Sequence, residues 1–253
     1  MCMQGFFQSI VAQFATHDVA LDVFRTGRER PRSEHHSCCF CGTDRFFRPR
    51  YDANLLNVWI PALSGVGEKL DAGIRVADIG CGHGSSTIIM AKQFPNSMFY
   101  GFDYHEPSIE EASRKASQGG VTNVQFQISS AKEIPDNRYG LACIFDALHD
   151  MGDPVGTAKR IRDVLNDDGT FMLVEPVAQD SLADKIPNNS MSGAFYSFST
   201  LVCVPASKSQ EVGLALGAQA GQVRLTGVLN EAGFTHIQRV SENPSNMVLE
   251  VRA

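Results

Sequence analysis

No uninterrupted apolar run in the chain approaches the roughly 20 residues that a bilayer-spanning helix needs, so no membrane partner is expected. The segment from Met1 to Phe7 lacks a basic stretch, and Gln4, Gln8, Ser9 and Gln13 interrupt the apolar core that a secretion signal requires. An excess of positive charge is missing too. The 22 Lys and Arg stand against 28 Asp and Glu, a formal charge of −6, which gives no general attraction to a phosphate backbone and argues against a nucleic-acid partner. A disulfide framework is equally absent: seven cysteines, an odd number widely spaced outside one cluster, fit reduced thiols in the cytoplasm. There is no internal repeat or low-complexity tract. What remains is a chain of 253 residues, 43% hydrophobic and 20% charged, able to bury the core of one large or two small α/β domains and unlike a disordered or fibrous protein.

Two zones differ in rhythm. Up to about Leu63 the pattern is helical, then loop-like, then helical again. Phe7, Ile10, Val11 and Phe14 recur at helical spacing and predict an apolar stripe packed inward. A second short helix is expected over 19–24, stopped by Gly27. Arg28 to Arg50 is polar, carries Pro31 and Pro49 and reads as a loop, and residues 51–63 read as a helix.

From Ile74 onward short β-like runs alternate with helical stretches. Strands are expected at 74–79, 98–102, 124–128, 141–145 and 171–175, with helices at 85–93, 107–116 and 154–165. That alternation implies right-handed crossovers and a mainly parallel sheet. At the carboxyl end, runs at 234–240 and 247–251 flank the turn Glu242-Asn243-Pro244-Ser245, a link short enough to join only antiparallel strands. The expected organisation is a helical and loop cap over 1–63 and a catalytic domain over 64–253, with 178–221 an insertion covering an acceptor site.

The most informative stretch is Asp78-Ile79-Gly80-Cys81-Gly82-His83-Gly84-Ser85, a strand running into a glycine turn that opens a helix. Glycines permit positive φ and let a ligand approach the backbone, and the helix start behind them offers free N–H groups. The spacing is G-x-G-x-G, with Ser85 where a nicotinamide-dinucleotide fingerprint places its last glycine. Nineteen residues after Gly84 the next strand ends in Asp103, a carboxylate suited to two ribose hydroxyls. The bland reading of this set is a structural strand-to-helix turn with a capping Asp103.

Asp78, the three glycines and Asp103 together resemble a class I S-adenosylmethionine-dependent methyltransferase. The resemblance implies a Rossmann-like α/β fold, a seven-stranded, mostly parallel sheet whose last strand is antiparallel, here with an N-terminal helical cap. It implies S-adenosyl-L-methionine as cofactor, with Asp78, Gly80, Cys81, Gly82 and Gly84 at its methionine part and Asp103 on the ribose. It places Tyr104, Ser130 and Ala131 around the adenine, and has Phe145, Asp146 and Tyr51 closing the site.

The fourth strand runs into Phe145-Asp146-Ala147-Leu148-His149-Asp150-Met151-Gly152-Asp153-Pro154 at the sheet edge where open α/β folds bind ligands. Histidine, with an ordinary pKa of about 6.5, can take a proton near neutrality, and a hydroxyl becomes a good nucleophile only as its proton leaves. The His149-Asp150 pair resembles that of the winged-helix O-methyltransferases, in which the histidine is the general base. Asp146, Asp150 and Glu175 are carboxylates able to orient the imidazole, and Glu175 is favoured because its strand neighbours the cleft. A solvated or helix-capping histidine is the plain alternative. The motif lacks the Asp/Asn-Pro-Pro-aromatic run of adenine methylases, and no Pro-Cys pair offers a nucleophile for cytosine.

Between Glu34 and Gly42 lies a Cys/His cluster with a C-x-x-C from Cys38 to Cys41, which His35 or His36 could complete as a zinc site. With no second C-x-x-C or spaced histidine pair, no metal is expected; Glu34 or His36 could instead face the acceptor. The insertion carries Met191, Phe195, Tyr196, Phe198, Leu201 and Val202, which suit an apolar acceptor pocket or ordinary core.

The runs 101–109, 148–154 and 209–217 resemble a group of uncharacterised methyltransferases with a winged-helix-like dimerisation domain ahead of this segment, so the sequence reads as a short form or a fragment. A homodimer is the assembly the resemblance leaves open. The expected activity is methyl transfer to the hydroxyl of a small-molecule acceptor. The alternatives are N- or C-methylation by positioning alone, and a cofactor-binding regulator without turnover.

Overall fold

The computed structural model of the protein describes residues 3–184 and 191–253; the expected insertion at 178–221 therefore falls in part, at 185–190, outside the described residues. Seven strands form one sheet in the order β3-β2-β1-β4-β5-β7-β6. They are β1 (Arg75–Ile79), β2 (Met98–Asp103), β3 (Val124–Ile128), β4 (Tyr139–Phe145), β5 (Leu165–Pro176), β6 (His236–Glu242) and β7 (Asn246–Arg252). The pairs among β1 to β5 are parallel, and β7 runs antiparallel to both neighbours, so the sheet is the Rossmann-like class I arrangement. The strand order reverses between β1 and β4, which opens a crevice at their carboxyl ends.

Strand pleating decides which side chain goes where. Val76, Leu141, Cys143, Met172 and Val174 face one layer, while Ala77, Ile79, Ala142, Ile144, Phe171 and Leu173 face the other. Every residue of β4 is buried, as a central parallel strand covered on both faces requires. The first layer is closed by helices over Val66–Ala72 and Ser85–Gln93, together with Leu55 and Trp59; the second is closed by helices over Pro154–Val164 and Gln222–Glu231. Each fully buried large side chain here contributes about 1.5–3 kcal/mol relative to exposure.

Among the described residues the α-helices of seven or more residues are, in chain order, α1 (Met3–Ala15), α2 (His17–Thr26), α3 (Ser37–Asn54), α4 (Val66–Ala72), α5 (Ser85–Gln93), α6 (Glu106–Gln118), α7 (Pro154–Val164), α8 (Ser192–Phe198) and α9 (Gln222–Glu231). Two expectations for the amino-terminal region are corrected. The stretch read as a loop over 28–50 is largely α3. His36 caps it, accepting a hydrogen bond from the Cys38 N–H at 3.2 Å, and Pro49 lies within it. A proline in a helix interior typically costs about 3 kcal/mol, and burial of Cys39, Phe46 and Tyr51 offsets that here.

The α1 stripe is also reversed. Phe7, Val11 and Phe14 are 58%, 60% and 74% exposed, while Gly5, Ser9 and Ala12 are buried. Close crossing of two helices explains it: a Cβ on Gly5 would stand 2.4 Å from the Phe46 nitrogen, and one on Gly42 2.4 Å from Ser9 Oγ. Small side chains win the inward face because α3 leaves no room for large ones.

Candidate functional site

The carboxyl ends of β1, β2 and β4 open into a cavity of about 420 Å³ roofed by α3. The glycine turn forms its floor. Gly80, Gly82 and Gly84 all have positive φ (72°, 52° and 72°). A Cβ on Gly84 would strike Phe126 at 2.6 Å and Ala112 at 2.9 Å, whereas one on Gly82 would meet nothing within 4 Å. Gly84 is thus needed for packing against β3 and α6, and Gly82 leaves its space to whatever enters the cavity.

Of the twelve residues expected at the cofactor, ten line this cavity: Gly80, Cys81, Gly82, Asp103, Tyr104, Ser130, Ala131, Phe145, Asp146 and Tyr51. Asp78 and Gly84 do not. Asp78 stands behind the cavity wall, where its Oδ2 accepts from Ser86 Oγ at 2.7 Å and Thr87 Oγ1 at 2.6 Å while its Oδ1 is buried without a hydrogen-bond partner. Burial pushes its carboxyl up to about 6 against the pull of those hydroxyls. Its place is to tie β1 to the first turn of α5. Asp103 accepts from the Gly82 N–H through Oδ2 and from the His105 N–H through Oδ1, both at 2.9 Å, which fixes the carboxylate at the cavity wall.

Asp146 ends β4 in a left-handed conformation, φ 50°. Asn246 donates to its Oδ1 at 2.7 Å, and its Oδ2 is buried without a hydrogen-bond partner. Burial and the nearby Glu175 raise its carboxyl to about 7, against the opposing Arg50 and His149.

A second, smaller cavity of about 100 Å³ adjoins the first, with Arg32, Thr43, Phe47, Asp146 and Asp150 on the walls of both. Phe46, Phe195, Phe198 and Val202 make it apolar, and His149 lies on its wall. The imidazole Nδ1 is 2.5 Å from Glu175 Oε2, while Glu175 Oε1 accepts from the Leu148 N–H at 2.9 Å. Nε2 lies 3.2 Å from Asp150 Oδ1. Burial opposes charge on this ring, but Glu175 and Asp150 outweigh it and hold the imidazole pKa well above its usual value. Asp150 is itself paired with Arg32; although burial works against it, His149 and Arg32 keep its carboxyl below the usual range.

The cavity roof was not legible as a set. Asp44 on α3 accepts from Ser85 Oγ at 2.6 Å and from Lys115 Nζ at 2.7 Å. Phe40 stacks on His105, their rings 4.1 Å apart, and Arg32 lies over Phe40. Phe47 joins both cavities. An expected helix over 37–54 would have put Phe40, Asp44, Phe47 and Tyr51 on one face at helical spacing, but the prolines and cysteines hid that signal. His36 serves as a helix cap and Glu34 pairs with Arg28 at 3.0 Å, so neither lines the cavities. Cys38 and Cys41 both sit on α3, and among the described residues no third ligand gathers beside them. His35 is buried, and burial beside Arg30 and Arg32 pushes its ring down to about 3.

A family profile described as a methyltransferase domain matches residues 70–233. The chain belongs to that family. Its core carries the glycine turn, Asp103, Asp146 and His149 within the matched range. The uncharacterized methyltransferase YcgJ of Bacillus subtilis is 30% identical over 118 residues, an alignment spanning 46% of this chain and 46% of that relative; the chain therefore spans less than half of that curated relative. A putative O-methyltransferase from Nostoc punctiforme PCC 73102 superposes with a TM-score of 0.71 at 17% identity, covering 98% of this chain and 71% of the other. The O-methyltransferase NcsB1 of neocarzinostatin biosynthesis, solved with S-adenosyl-L-homocysteine and 1,4-dihydroxy-2-naphthoic acid, gives a TM-score of 0.64 at 16% identity over 99% of this chain and 69% of its own. At such identities the likeness is one of fold. No helix among the described residues is long and apolar enough to cross a membrane.

Proposed function

We propose that this methyltransferase-family chain transfers a methyl group from S-adenosylmethionine to a hydroxyl of a small, largely apolar and aromatic acceptor. One observation carries the reading: a carboxylate-held imidazole stands on the wall of an apolar cavity that meets the larger cavity at Asp146, Asp150 and Phe47. The larger cavity fits the cofactor by its own chemistry. The orphaned Asp146 Oδ2 suits an ammonium group, the space over Gly82 suits an amino-acid tail, and Asp103 at the end of β2 suits ribose hydroxyls. Tyr104, Ser130 and Ala131 would border the adenine, with Tyr51 and Phe145 closing the inner end. When bound, S-adenosylmethionine supplies an electrophilic methyl on a sulfonium.

The chain's own residues then do three things. The roof helix and the insertion exclude water from the acceptor. Phe46, Phe47, Phe195 and Phe198 hold a flat apolar ring, and alignment of this kind can supply about 7–11 kcal/mol of the barrier. His149 takes the hydroxyl proton at Nε2 while Glu175 fixes the ring through Nδ1 and stabilises the charged form; Glu175 acts through His149 and is a positioning residue. A placed base contributes about 10²–10⁴ in rate. A ring with a raised pKa is a stronger base but is free only above that pKa, so turnover should climb with pH.

Calorimetric titration with S-adenosylmethionine and with its demethylated product tests the cofactor assignment, and no binding of either would end it. A labelled-methyl assay on hydroxylated naphthoates and other phenols tests the acceptor class; product on amines alone would replace oxygen with nitrogen as the nucleophile. Tight cofactor binding with no product from any extract would favour a regulator.

A further inference from the structure

Among the described residues, one group of three side chains has its ligand atoms gathered within 4.8 Å of one another: His149, Asp150 and Cys203. Two bonds of about 2.0–2.3 Å meeting at a tetrahedral ion set their ligand atoms about 3.5 Å apart, so a small inward shift of these side chains closes them on one ion. The first two come from the turn after β4 and the third from the π-helical turn Ser199–Cys203 that continues α8. His149 and Cys203 are buried, at 4% and 7% exposure, and Asp150 is partly buried.

The three side chains hold one another through protons that a cation could replace. Nδ1 of His149 is committed to Glu175, which leaves Nε2 pointing into the group. A carboxylate behind the distal nitrogen is the usual support of a metal-bound imidazole. Asp150 accepts from Arg32 through Oδ2, while its Oδ1 is paired with Nε2 at 3.2 Å and Cys203 hydrogen-bonds to the same carboxylate. Cys203 lines the same small cavity as both.

We infer that His149 Nε2, Asp150 Oδ1 and Cys203 Sγ form a binding site for a thiophilic divalent cation of the zinc class, with its fourth position open to the apolar cavity. Nitrogen, oxygen and sulfur ligands in one three-residue set with an open position are what zinc accepts. The charges balance. A divalent cation displaces the thiol proton of Cys203 and the Nε2 proton of the imidazolium, both released to solvent, so the pocket's net charge is unchanged while Glu175, Asp150 and Arg32 keep theirs. The ion would occupy the nitrogen that the proposed function needs as a base, and so would act as a brake on methyl transfer. That consequence rests on the proposed function; the binding does not.

The test is titration of the full chain with cobalt(II), read by the thiolate-to-cobalt absorption band. The expected result is one equivalent bound, with the band lost in Cys203→Ser and kept in a Cys38→Ser, Cys41→Ser double variant. A band retained in Cys203→Ser, or no stoichiometric binding, overturns the inference. X-ray absorption of the cobalt-loaded wild type guards against a Cys203→Ser variant that fails to fold: a single sulfur among nitrogen and oxygen ligands supports the site, and two or more sulfurs move the ion to the α3 cysteines and refute it. Calorimetry with S-adenosylmethionine on metal-free protein runs alongside, so cofactor binding without metal binding sinks this inference alone.

Discussion

The floor and the roof of the larger cavity are made from opposite kinds of sequence. The floor is backbone: a glycine turn between β1 and α5, fixed from beneath by Asp78 and from the side by Asp103 and β3. The roof is side chain: α3 laid across the strand ends, packed on α1 and the core through Phe46 and Tyr51 and tied by Asp44, Phe40 and the preceding Arg32. A backbone site tolerates little variation and suits a ligand common to many proteins. A roof of replaceable side chains suits a ligand that differs from one relative to the next. Under the proposed function, the floor would hold the shared cofactor and the roof, with the insertion, would select the acceptor.

The sharpest way to separate the two is His149→Ala. Turnover should fall by about 10²–10⁴, measured as kcat with labelled methyl, while calorimetric affinity for S-adenosylmethionine stays within twofold. A parallel loss of cofactor affinity would mean that the two cavities act as one.

Next in size is damage to the floor. Gly84→Val adds a side chain at φ 72°, where Phe126 and Ala112 already stand within 3 Å of the new Cβ. Overpacking and left-handed strain together should cost about 2–4 kcal/mol, read as a lower urea midpoint. Cofactor affinity should fall with it. A variant as stable as the wild type would show that β3 can retreat and that the floor is softer than its geometry implies.

A third test uses pH. Glu175 and Asp150 hold the His149 pKa above its usual value despite burial, so kcat/KM should rise with pH as the ring loses its proton, and His149→Ala should flatten that limb. Stability moves the other way. A group whose folded pKa is raised stabilises fully below its unfolded value of about 6.5, and that contribution is lost as pH rises through the folded pKa. Urea midpoints should therefore decline over the range in which activity climbs, and a midpoint that climbs with activity would contradict the assignment.

This contrast also explains what could be read without coordinates. The sheet, its antiparallel last strand and the helices at Ser85–Gln93 and Pro154–Val164 follow from periods of two and 3.6 that local sequence carries on its face. Gly80, Cys81, Gly82 and Asp103 on the cavity wall follow from turn chemistry and a strand end, and the other six expected residues lining it follow from the family resemblance. Asp78 stands behind the cavity wall, on Ser86 and Thr87, a placement set by the strand's pleat rather than by the motif. The roof was missed because α3 exists through tertiary burial: its proline argues against a helix, and the glycines and serine that let α1 cross it look like poor core. Cys203 is far in sequence from the adjacent His149 and Asp150, and only the crossing of two turns brings the three together.

The smallest expected effect tests whether the roof is separable at all. Asp44 joins α3 to Ser85 and Lys115, with its side chain 17% exposed and Lys115 21% exposed. Partly screened pairs of this kind contribute about 1 kcal/mol or less, so Asp44→Asn should shift the global urea midpoint only slightly. Hydrogen exchange should nonetheless speed up several-fold along α3 while β1 and β4 keep their protection, because local opening depends on the ties of the element that opens. Acceptor KM should then rise more than cofactor Kd. If α3 and the central strands instead lose protection together, roof and floor form one cooperative unit, and acceptor choice cannot be altered in this chain without altering the cofactor site as well.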